Sequence, residues 1–288
     1  MTMQSLAPML RHAAENGYAV PQFNVDTLDI AQAVLETATE MRAPVILALG
    51  QAVDRAGRLE PMIAGLRVMA EAAPIPVCLH LDHSESLPQI GRALRAGCTG
   101  LMIDASARPL EENIAATRTV LELCAEADAG VEAELGRIAG VEDDLVVSED
   151  EAGKVDAATV AQFLDGVRPD ALAVAVGTAH GFYDAPPEID FDLIAELASL
   201  SPPPLVLHGG TGLEDEVLTR CVDAGFAKMN FATELRGGYL SAVAAAGQDG
   251  ANIFDALASG QDAIRRIVKT KLRLLRTADR AQGPRPGE

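Results

Sequence analysis

The stretch PVCLHLDHSESLPQIGRALRAG (76–97) holds one complete strand-and-helix unit, and its pattern decides the fold. The apolar run PVCLHL (76–81) is typical of a buried strand, and LPQIGRALRAG (87–97) has helical spacing with a terminal glycine. Similar apolar runs recur along the chain at fairly even intervals, with helical patterns between them. They are PQFNV (21–25), VILAL (45–49), GLMID (100–104), VEAEL (131–135), ALAVAV (171–176), PLVLH (204–208) and AKMNF (227–231).

Strands that alternate with helices indicate parallel βαβ units, and eight such units predict an α/β fold of the (β/α)8 TIM-barrel type. An open, doubly wound sheet is the alternative, but no G-x-G-x-x-G motif follows the first strand. We expect a single barrel domain over residues 1–280 that includes additional C-terminal helices. The tail AQGPRPGE (281–288) is expected to be disordered.

The composition and the net charge argue against several classes of protein. A formal net charge of -19 over 288 residues argues against a partner such as nucleic acid or an anionic membrane. No apolar run approaches the roughly 18 residues of a membrane span, and the first residues lack a charged signal-peptide start. The four cysteines show no C-x-x-C spacing, so we expect buried, reduced thiols and a cytoplasmic protein.

Polar residues follow most of the predicted strands, where a TIM barrel places its active site. They are Asn24, Asp82 with His83, Asp104, Glu134, His180, His208 and Asn230. A single histidine at a strand end is more often hydrogen-bonded in the core than bound to a metal. Three of them at three strand ends indicate one shared site, and three neutral imidazoles suit Zn²⁺ with a fourth position left open for substrate. Such a zinc ion can polarise a carbonyl or stabilise an enediolate.

Two glycine-rich turns, GTAHGF (177–182) and HGGTGL (208–213), surround the later histidines. Backbone N–H groups in such a turn, with a helix N-terminus behind them, form an anion site without a basic side chain. The turns after strands seven and eight of a barrel often bind phosphate. The alternative is a tight turn that needs glycine only for its backbone.

Three further features have two interpretations each. The acidic segment RIAGVEDDLVVSEDEAGKV (137–155) is either a lid or binding loop or a plain surface excursion. The basic helix IRRIVKTKLRLLRTADR (264–280) is either a solvated closing helix or a source of arginines for a substrate phosphate. His80 shares a strand face with Asp82, and we expect it to support the site or the core rather than to bind metal.

Seven motifs, in order and at consistent spacing, resemble the class II, metal-dependent ketose-bisphosphate aldolases over nearly the whole chain. The resemblance is closest to the tagatose-bisphosphate aldolase branch. The motifs are YAVPQFNVD (18–26), LHLDHSES (79–86), GLMIDAS (100–106), VEAELGRIAGVEDD (131–144), AVAVGTAHGFY (173–183), LVLHGGTG (205–212) and KMNFATEL (228–235).

The resemblance implies a role for each matched residue. His83, His180 and His208 correspond to the zinc ligands. Asp104 and Glu134 correspond to residues that hold a second metal position in some relatives, and otherwise they would hydrogen-bond around the metal ligands. Asp82 corresponds to the acid/base that removes the C4-hydroxyl proton during cleavage. Glu142 corresponds to a mobile carboxylate that moves a proton at the carbon of the enediolate. This chemistry needs no lysine Schiff base. Lys228 precedes Met229 and Asn230 and therefore does not lie at the strand end, where a Schiff-base lysine would be expected.

The phosphate half of the site is implied in the same way. The residues expected to bind substrate are Asn24, Gly181, Gly209, Gly210, Thr211, Asn230, Ala232 and Thr233. A monovalent cation, Na⁺ or K⁺, often binds near this phosphate in the family.

The implied reaction is the reversible aldol cleavage of a ketose 1,6-bisphosphate to dihydroxyacetone phosphate and an aldehyde such as glyceraldehyde 3-phosphate. Ala232 stands where fructose-bisphosphate enzymes usually carry Asp in N-x-D, which resembles the tagatose branch. Asp184 stands where many relatives carry Lys, so the cation for the distal anion would come from elsewhere, with Arg265, Arg266 and Arg276 as candidates.

Other substrates and functions stay open. They are a sulfofructose phosphate, a deoxy-keto-gluconate phosphate, a metal-dependent sugar-phosphate isomerase or epimerase, and a non-catalytic barrel. The family also implies a homodimer or homotetramer, and a companion subunit in some tagatose-type enzymes.

Overall fold

The computed structural model describes residues 3–142, 145–148, 153, 155–183 and 185–281, and its centre is a closed barrel of eight parallel strands. The strands of the described chain are β1 (Val20–Asn24), β2 (Val45–Leu49), β3 (Val77–Ser84), β4 (Gly100–Ile103), β5 (Gly130–Leu135), β6 (Ala139–Glu142), β7 (Leu145–Val147), β8 (Ala171–Val174), β9 (Ala179–His180), β10 (Leu205–Leu207) and β11 (Phe226–Phe231). The order around the barrel is β1–β11–β10–β8–β5–β4–β3–β2, so β1 closes on β11. The TIM barrel and its eight predicted strands are confirmed, and the open sheet is wrong.

Most helices of the described chain follow a barrel strand and cover the barrel from outside, whereas α1 precedes β1. They are α1 (Leu6–Glu15), α2 (Leu28–Glu40), α3 (Gln51–Arg55), α4 (Leu59–Ala72), α5 (Leu87–Ala96), α6 (Leu110–Ala125), α7 (Ala157–Gly166), α8 (Phe191–Ser199), α9 (Asp215–Asp223), α10 (Thr233–Gln248) and α11 (Ile253–Leu274). The additional C-terminal helix α11 packs against α10 and α2. None of the helices in the described ranges is long and apolar enough to cross a membrane.

The unit at 76–97 folds as its local chemistry dictates. Strand β3 is buried along its whole length, and α5 starts with a proline in its first turn, where no intrahelical N–H bond is lost. Gly97 ends α5 with φ 115°, a left-handed conformation that favours glycine. Residues 282–288 of the tail predicted to be disordered lie outside the described part of the chain.

Helix α1 closes the N-terminal end of the barrel with apolar side chains. Leu6, Met9 and Leu10 pack against Val20 and Cys78 from the strands, and all of them are buried. Full burial of a leucine side chain contributes about 1.5–3 kcal/mol. The opposite, C-terminal end of the barrel is therefore the end left open for a site. All four cysteines of the sequence are buried and free of disulfides, as expected.

Residues that face the barrel interior change from apolar to polar along the chain direction. Along β1 the interior residues are Val20, Gln22 and Asn24, and along β3 they are Cys78, His80 and Asp82. Since side chains alternate along a strand, one apolar and two polar layers lie above each other. The polar layers lead from the sealed end to the open end.

The lower polar layer contains an ion pair that is completely buried. Lys228 Nζ, on β11, lies 2.7 Å from Glu132 Oε2 on β5, and both side chains have 0% exposure. These strands are not neighbours in the barrel, so the pair spans its interior. Removing one partner of a buried pair leaves an uncompensated charge, which typically costs about 3–5 kcal/mol.

We predict that Lys228→Met lowers the free energy of unfolding by about 3–5 kcal/mol, because it leaves the Glu132 carboxylate buried without its cation. Urea denaturation measures the loss. The matched control is Arg265→Met, which removes a half-exposed pair with Glu36 and should cost no more than about 1 kcal/mol. Equal losses in the two variants would contradict this role for the buried pair.

Candidate active site

Three histidines meet at the C-terminal end of the barrel. His83 lies near the end of β3, His180 is in β9, and His208 directly follows β10. The ring centroid of His83 lies 4.6 Å from that of His208 and 5.1 Å from that of His180. One nitrogen from each of the three buried side chains lies within 4.8 Å of the others. Three imidazoles at this spacing form a donor set that suits zinc.

Carboxylates behind the histidines orient two of the rings. His208 Nε2 lies 2.9 Å from Glu132 Oε1, and His83 Nδ1 lies 2.9 Å from Asp104 Oδ2. An ionised carboxylate only accepts hydrogen bonds, so each ring donates an N–H to it. The remaining nitrogens, His208 Nδ1 and His83 Nε2, face each other at 2.9 Å. Two ring nitrogens directed at one point in this way fit a shared metal ion.

Burial and neighbouring charges keep the Glu132 carboxylate ionised and favour the neutral form of the His208 and His80 imidazoles. Burial alone would raise the pKa of Glu132, but the Lys228 charge and the His208 hydrogen bond hold it well below its ordinary value. Burial lowers the pKa of His208. Burial and the Lys228 charge also lower the pKa of His80 to about 4. Neutral imidazole is the form that binds a metal ion.

A second group of possible ligands adjoins the first. His83, Asp104 and Glu134 also offer ligand atoms within 4.8 Å of one another, and all three are buried. Burial, followed by the charge of Asp104, raises the pKa of Glu134 well above its ordinary value. The Ser106 hydroxyl and backbone N–H both donate to Asp104 Oδ1, at 2.7 Å and 3.1 Å. Asp104 and Glu134 are the two carboxylates for which the sequence analysis expects a second metal position, and the structure brings them together.

A bulge in β3 presents Asp82 and His83 to the same site. The register of β3 against β4 shifts between Leu81 and Ser84, and His83 has φ 47°, in the left-handed region. A residue other than glycine in this region costs about 1–3 kcal/mol, which the surrounding structure must supply. The Asn24 amide donates to Asp82 Oδ2 at 2.9 Å, so β1 holds this carboxylate in place.

His180 is not placed by a barrel strand. Strand β8 ends at Val174, and His180 belongs to β9 of a small sheet with the order β7–β6–β9. Gly140 of β6 pairs with His180. The segment 137–155, expected as a loop, thus contains the β6–β7 hairpin, and that hairpin supports a histidine of the cluster. Glu142 is the last residue of β6, and its side chain lies outside the described part of the structure.

The turn after β10 forms a cradle beside the histidines. Gly181 and Gly209 have φ 97° and 68°, and the Gly210 N–H donates to the Asn230 carbonyl at 3.0 Å. Thr211 is buried, and Ala232 and Thr233 lie at the N-terminus of α10. Among the described residues, neither side-chain amide atom of buried Asn230 has a hydrogen-bond partner. Buried polar atoms without a protein partner are uncommon, and they suit a position that takes a polar ligand, an ion or water.

The basic residues considered for a distal anion lie elsewhere. Arg265 pairs with Glu36 at 2.7 Å, and Arg276 pairs with Asp223 at 2.7 Å. Arg266 is exposed on α11, and Asp184 lies outside the described residues. Arg137, which the sequence analysis did not single out, lines a cavity of about 680 Å³ beside His180. It also lines the smaller cavity that contains His83, Asp104 and Glu134.

Comparisons with known proteins agree with this fold. The family model for "Fructose-bisphosphate aldolase class-II" matches residues 4–280. The crystal structure of the YdjI aldolase from Escherichia coli K12 is similar, with a TM-score of 0.87, 28% identity, and coverage of 97% of this chain and 100% of that one. A provisionally named fructose-1,6-bisphosphate aldolase from Coccidioides immitis has a TM-score of 0.87 and 25% identity, over 95% of this chain and 96% of that one.

We predict that Gly140→Ala disrupts the pairing of β6 with β9. Gly140 has φ +103°, and a Cβ there would lie 2.1 Å from the His180 carbonyl oxygen. Hydrogen exchange should become faster in β6 and β9 and remain unchanged in the barrel strands.

The control for this variant is Gly57→Ala, where φ is +68° and a Cβ meets nothing within 4 Å. It carries the backbone strain of about 1–3 kcal/mol without the clash. Unchanged exchange of β9 in Gly140→Ala would show that this close approach does not hold His180 in place.

Proposed function

Because this chain belongs to the class II fructose-bisphosphate aldolase family and is an aldolase, we propose that it catalyses the zinc-dependent, reversible cleavage of a ketose 1,6-bisphosphate. The substrate is of the tagatose or fructose type, and the products are dihydroxyacetone phosphate and an aldehyde such as glyceraldehyde 3-phosphate. One observation carries the proposal: three histidines converge next to a glycine-rich turn and the unpartnered amide of Asn230. A metal site and a phosphate site side by side suit a phosphorylated ketone.

His83, His180 and His208 would hold the zinc ion, with Asp104 and Glu134 as ligands at a second position. Bound zinc supplies a Lewis acid that polarises the substrate carbonyl and stabilises negative charge on its oxygens. Glu132 and Asp104 orient the rings of His208 and His83, which would leave one nitrogen of each ring available to the metal. Outer partners of this kind commonly change metal affinity by about 10–100-fold when they are removed.

Asp82 is the group that takes the C4-hydroxyl proton, so that the C3–C4 bond breaks. Its Oδ2 accepts a hydrogen bond from Asn24 at 2.9 Å, which fixes the carboxylate at the mouth of the barrel. The bulge at His83 brings Asp82 next to a metal ligand. Glu142, carried by β6, returns a proton to the carbon that the cleavage leaves with excess electrons.

The turn formed by Gly209, Gly210 and Thr211 would receive the phosphate of the dihydroxyacetone phosphate half, together with Gly181 and Thr233. The N-terminus of α10 adds a partial positive charge to this side. Asn230 contributes the side-chain amide that lacks a protein partner. A monovalent cation near the phosphate and a homo-oligomer remain predictions from the resemblance, and a cytoplasmic location remains a prediction from the cysteine pattern.

Ala232 favours the tagatose branch within this proposal. It precedes α10 directly and offers no carboxylate to a substrate hydroxyl whose orientation differs between the two epimers. A polar group left without its partner is costly, so this position can discriminate between them. A sulfofructose phosphate or a deoxy-keto-gluconate phosphate is the alternative substrate.

The test is release of dihydroxyacetone phosphate from tagatose 1,6-bisphosphate and fructose 1,6-bisphosphate, before chelation, after it, and after zinc is added back. We expect release that chelation abolishes and zinc restores, with tagatose 1,6-bisphosphate preferred. A zinc-loaded protein that cleaves neither compound would contradict the proposed substrate class. Release that chelation leaves unchanged would contradict the zinc dependence.

We predict that His208→Ala loses zinc and cleavage together, because it removes one of three ligands. Zinc content after gel filtration and the rate of dihydroxyacetone phosphate release are the measurements. His12→Ala is the control, since His12 lies on α1 at the sealed end of the barrel. Full zinc content in His208→Ala would remove this histidine from the proposed ligand set.

We predict that Asp82→Ala keeps its zinc and loses cleavage by at least about 100-fold, the usual contribution of a general acid/base. The same two measurements separate the roles of neighbouring residues 82 and 83. Loss of zinc from Asp82→Ala would identify Asp82 as a metal ligand instead of the acid/base.

A further inference from the structure

One hydroxyl group connects the two loops that carry His180 and His208. The backbone N–H of Ala179 donates to Tyr183 Oη at 2.9 Å. The same Oη donates to the carbonyl of Gly209 at 2.7 Å. Ala179 is adjacent to His180 and Gly209 is adjacent to His208, so the hydroxyl lies between the backbones of two proposed metal ligands.

The tyrosine hydroxyl thus accepts one hydrogen bond and donates its single proton in the other. Burial raises the pKa of Tyr183 to about 12. The phenol therefore keeps its proton over the working range of an enzyme, and its donation to Gly209 persists.

The loops also approach each other so closely that little else fits between them. A Cβ at Gly209, where φ is +68°, would lie 2.3 Å from the Ala179 carbonyl oxygen. A Cβ at Gly212 would lie 3.2 Å from Tyr183 Cδ2. The ring thus packs at one end of the H-G-G-T-G turn, and its hydroxyl bonds at the other end.

We propose that Tyr183 is a positioning residue that sets the distance between His180 and the H-G-G-T-G turn (208–212). It would thereby couple metal binding at the histidines to anion binding at the turn. This inference rests on the proposed function, because it assigns the two halves of that site to one shared contact. Tyr183 lies three residues after His180. The short turn between them lets the Tyr183 hydroxyl contact both Ala179 of β9 and Gly209. Ordering either half through this contact also orders the other.

The test compares Tyr183→Phe with Tyr18→Phe. Each variant removes one hydroxyl and keeps the ring. Tyr18 is a buried tyrosine whose hydroxyl lies 2.9 Å from His12 Nδ1, on the helix that seals the other end of the barrel. The measurements are the dissociation constant for zinc, the dissociation constant for inorganic phosphate with and without zinc, and the urea denaturation midpoint.

For Tyr183→Phe we expect the zinc dissociation constant to rise by about tenfold, as when an outer partner of a metal ligand is removed. Zinc should strengthen phosphate binding in the wild-type protein and in Tyr18→Phe, and much less so in Tyr183→Phe. The denaturation midpoint of Tyr183→Phe should fall no further than that of Tyr18→Phe.

Two outcomes overturn different claims. If the wild-type protein binds zinc and phosphate, and Tyr183→Phe binds both equally well with the same effect of zinc on phosphate, the positioning role is wrong and the proposed function stands. If the wild-type protein binds no zinc, the proposed function fails, and the coupling fails with it.

Discussion

The ion pair between Lys228 and Glu132, buried in the barrel interior, is the interaction on which the site depends. Lys228 keeps the Glu132 carboxylate ionised where water cannot, and Glu132 in turn accepts the N–H of His208. These two contacts fix the tautomer of His208 and direct its Nδ1 to the histidine cluster. A barrel filled only with apolar side chains would be simpler to stabilise, but it would leave the histidine without a fixed orientation.

Strained backbone or a close approach occurs at three points of the site, in β3, in β6 and in the turn after β10. The left-handed backbone at His83 and the close approaches at Gly140 and Gly209 each place a side chain that a regular strand would direct elsewhere. Such conformations persist only where neighbouring contacts determine them. Here the contacts are the β3 bulge, the β6–β9 pairing and the Tyr183 hydroxyl.

Much of this arrangement could be predicted from the sequence. The eight apolar runs are short, evenly spaced and separated by helical patterns, and a polar residue follows most of them, so the barrel and the meeting of His83, His180 and His208 were accessible. The β6–β7–β9 sheet was not, because segments of two to four residues are too short for a periodic signal. The ion pair of Glu132 and Lys228 was missed, although each residue lies two positions before a predicted site residue, on the same strand face. A charge at that spacing inside an apolar run was the available signal.

The central claim is that three histidines hold one zinc ion beside Asp82. Anomalous diffraction at the zinc edge from zinc-loaded crystals tests it most directly. The account predicts a zinc ion about 2.0–2.1 Å from one nitrogen each of His83, His180 and His208, the usual Zn–N distance, with Asp82 unligated. A zinc ion bound elsewhere, or bound by Asp82 in place of one of these histidines, would contradict it.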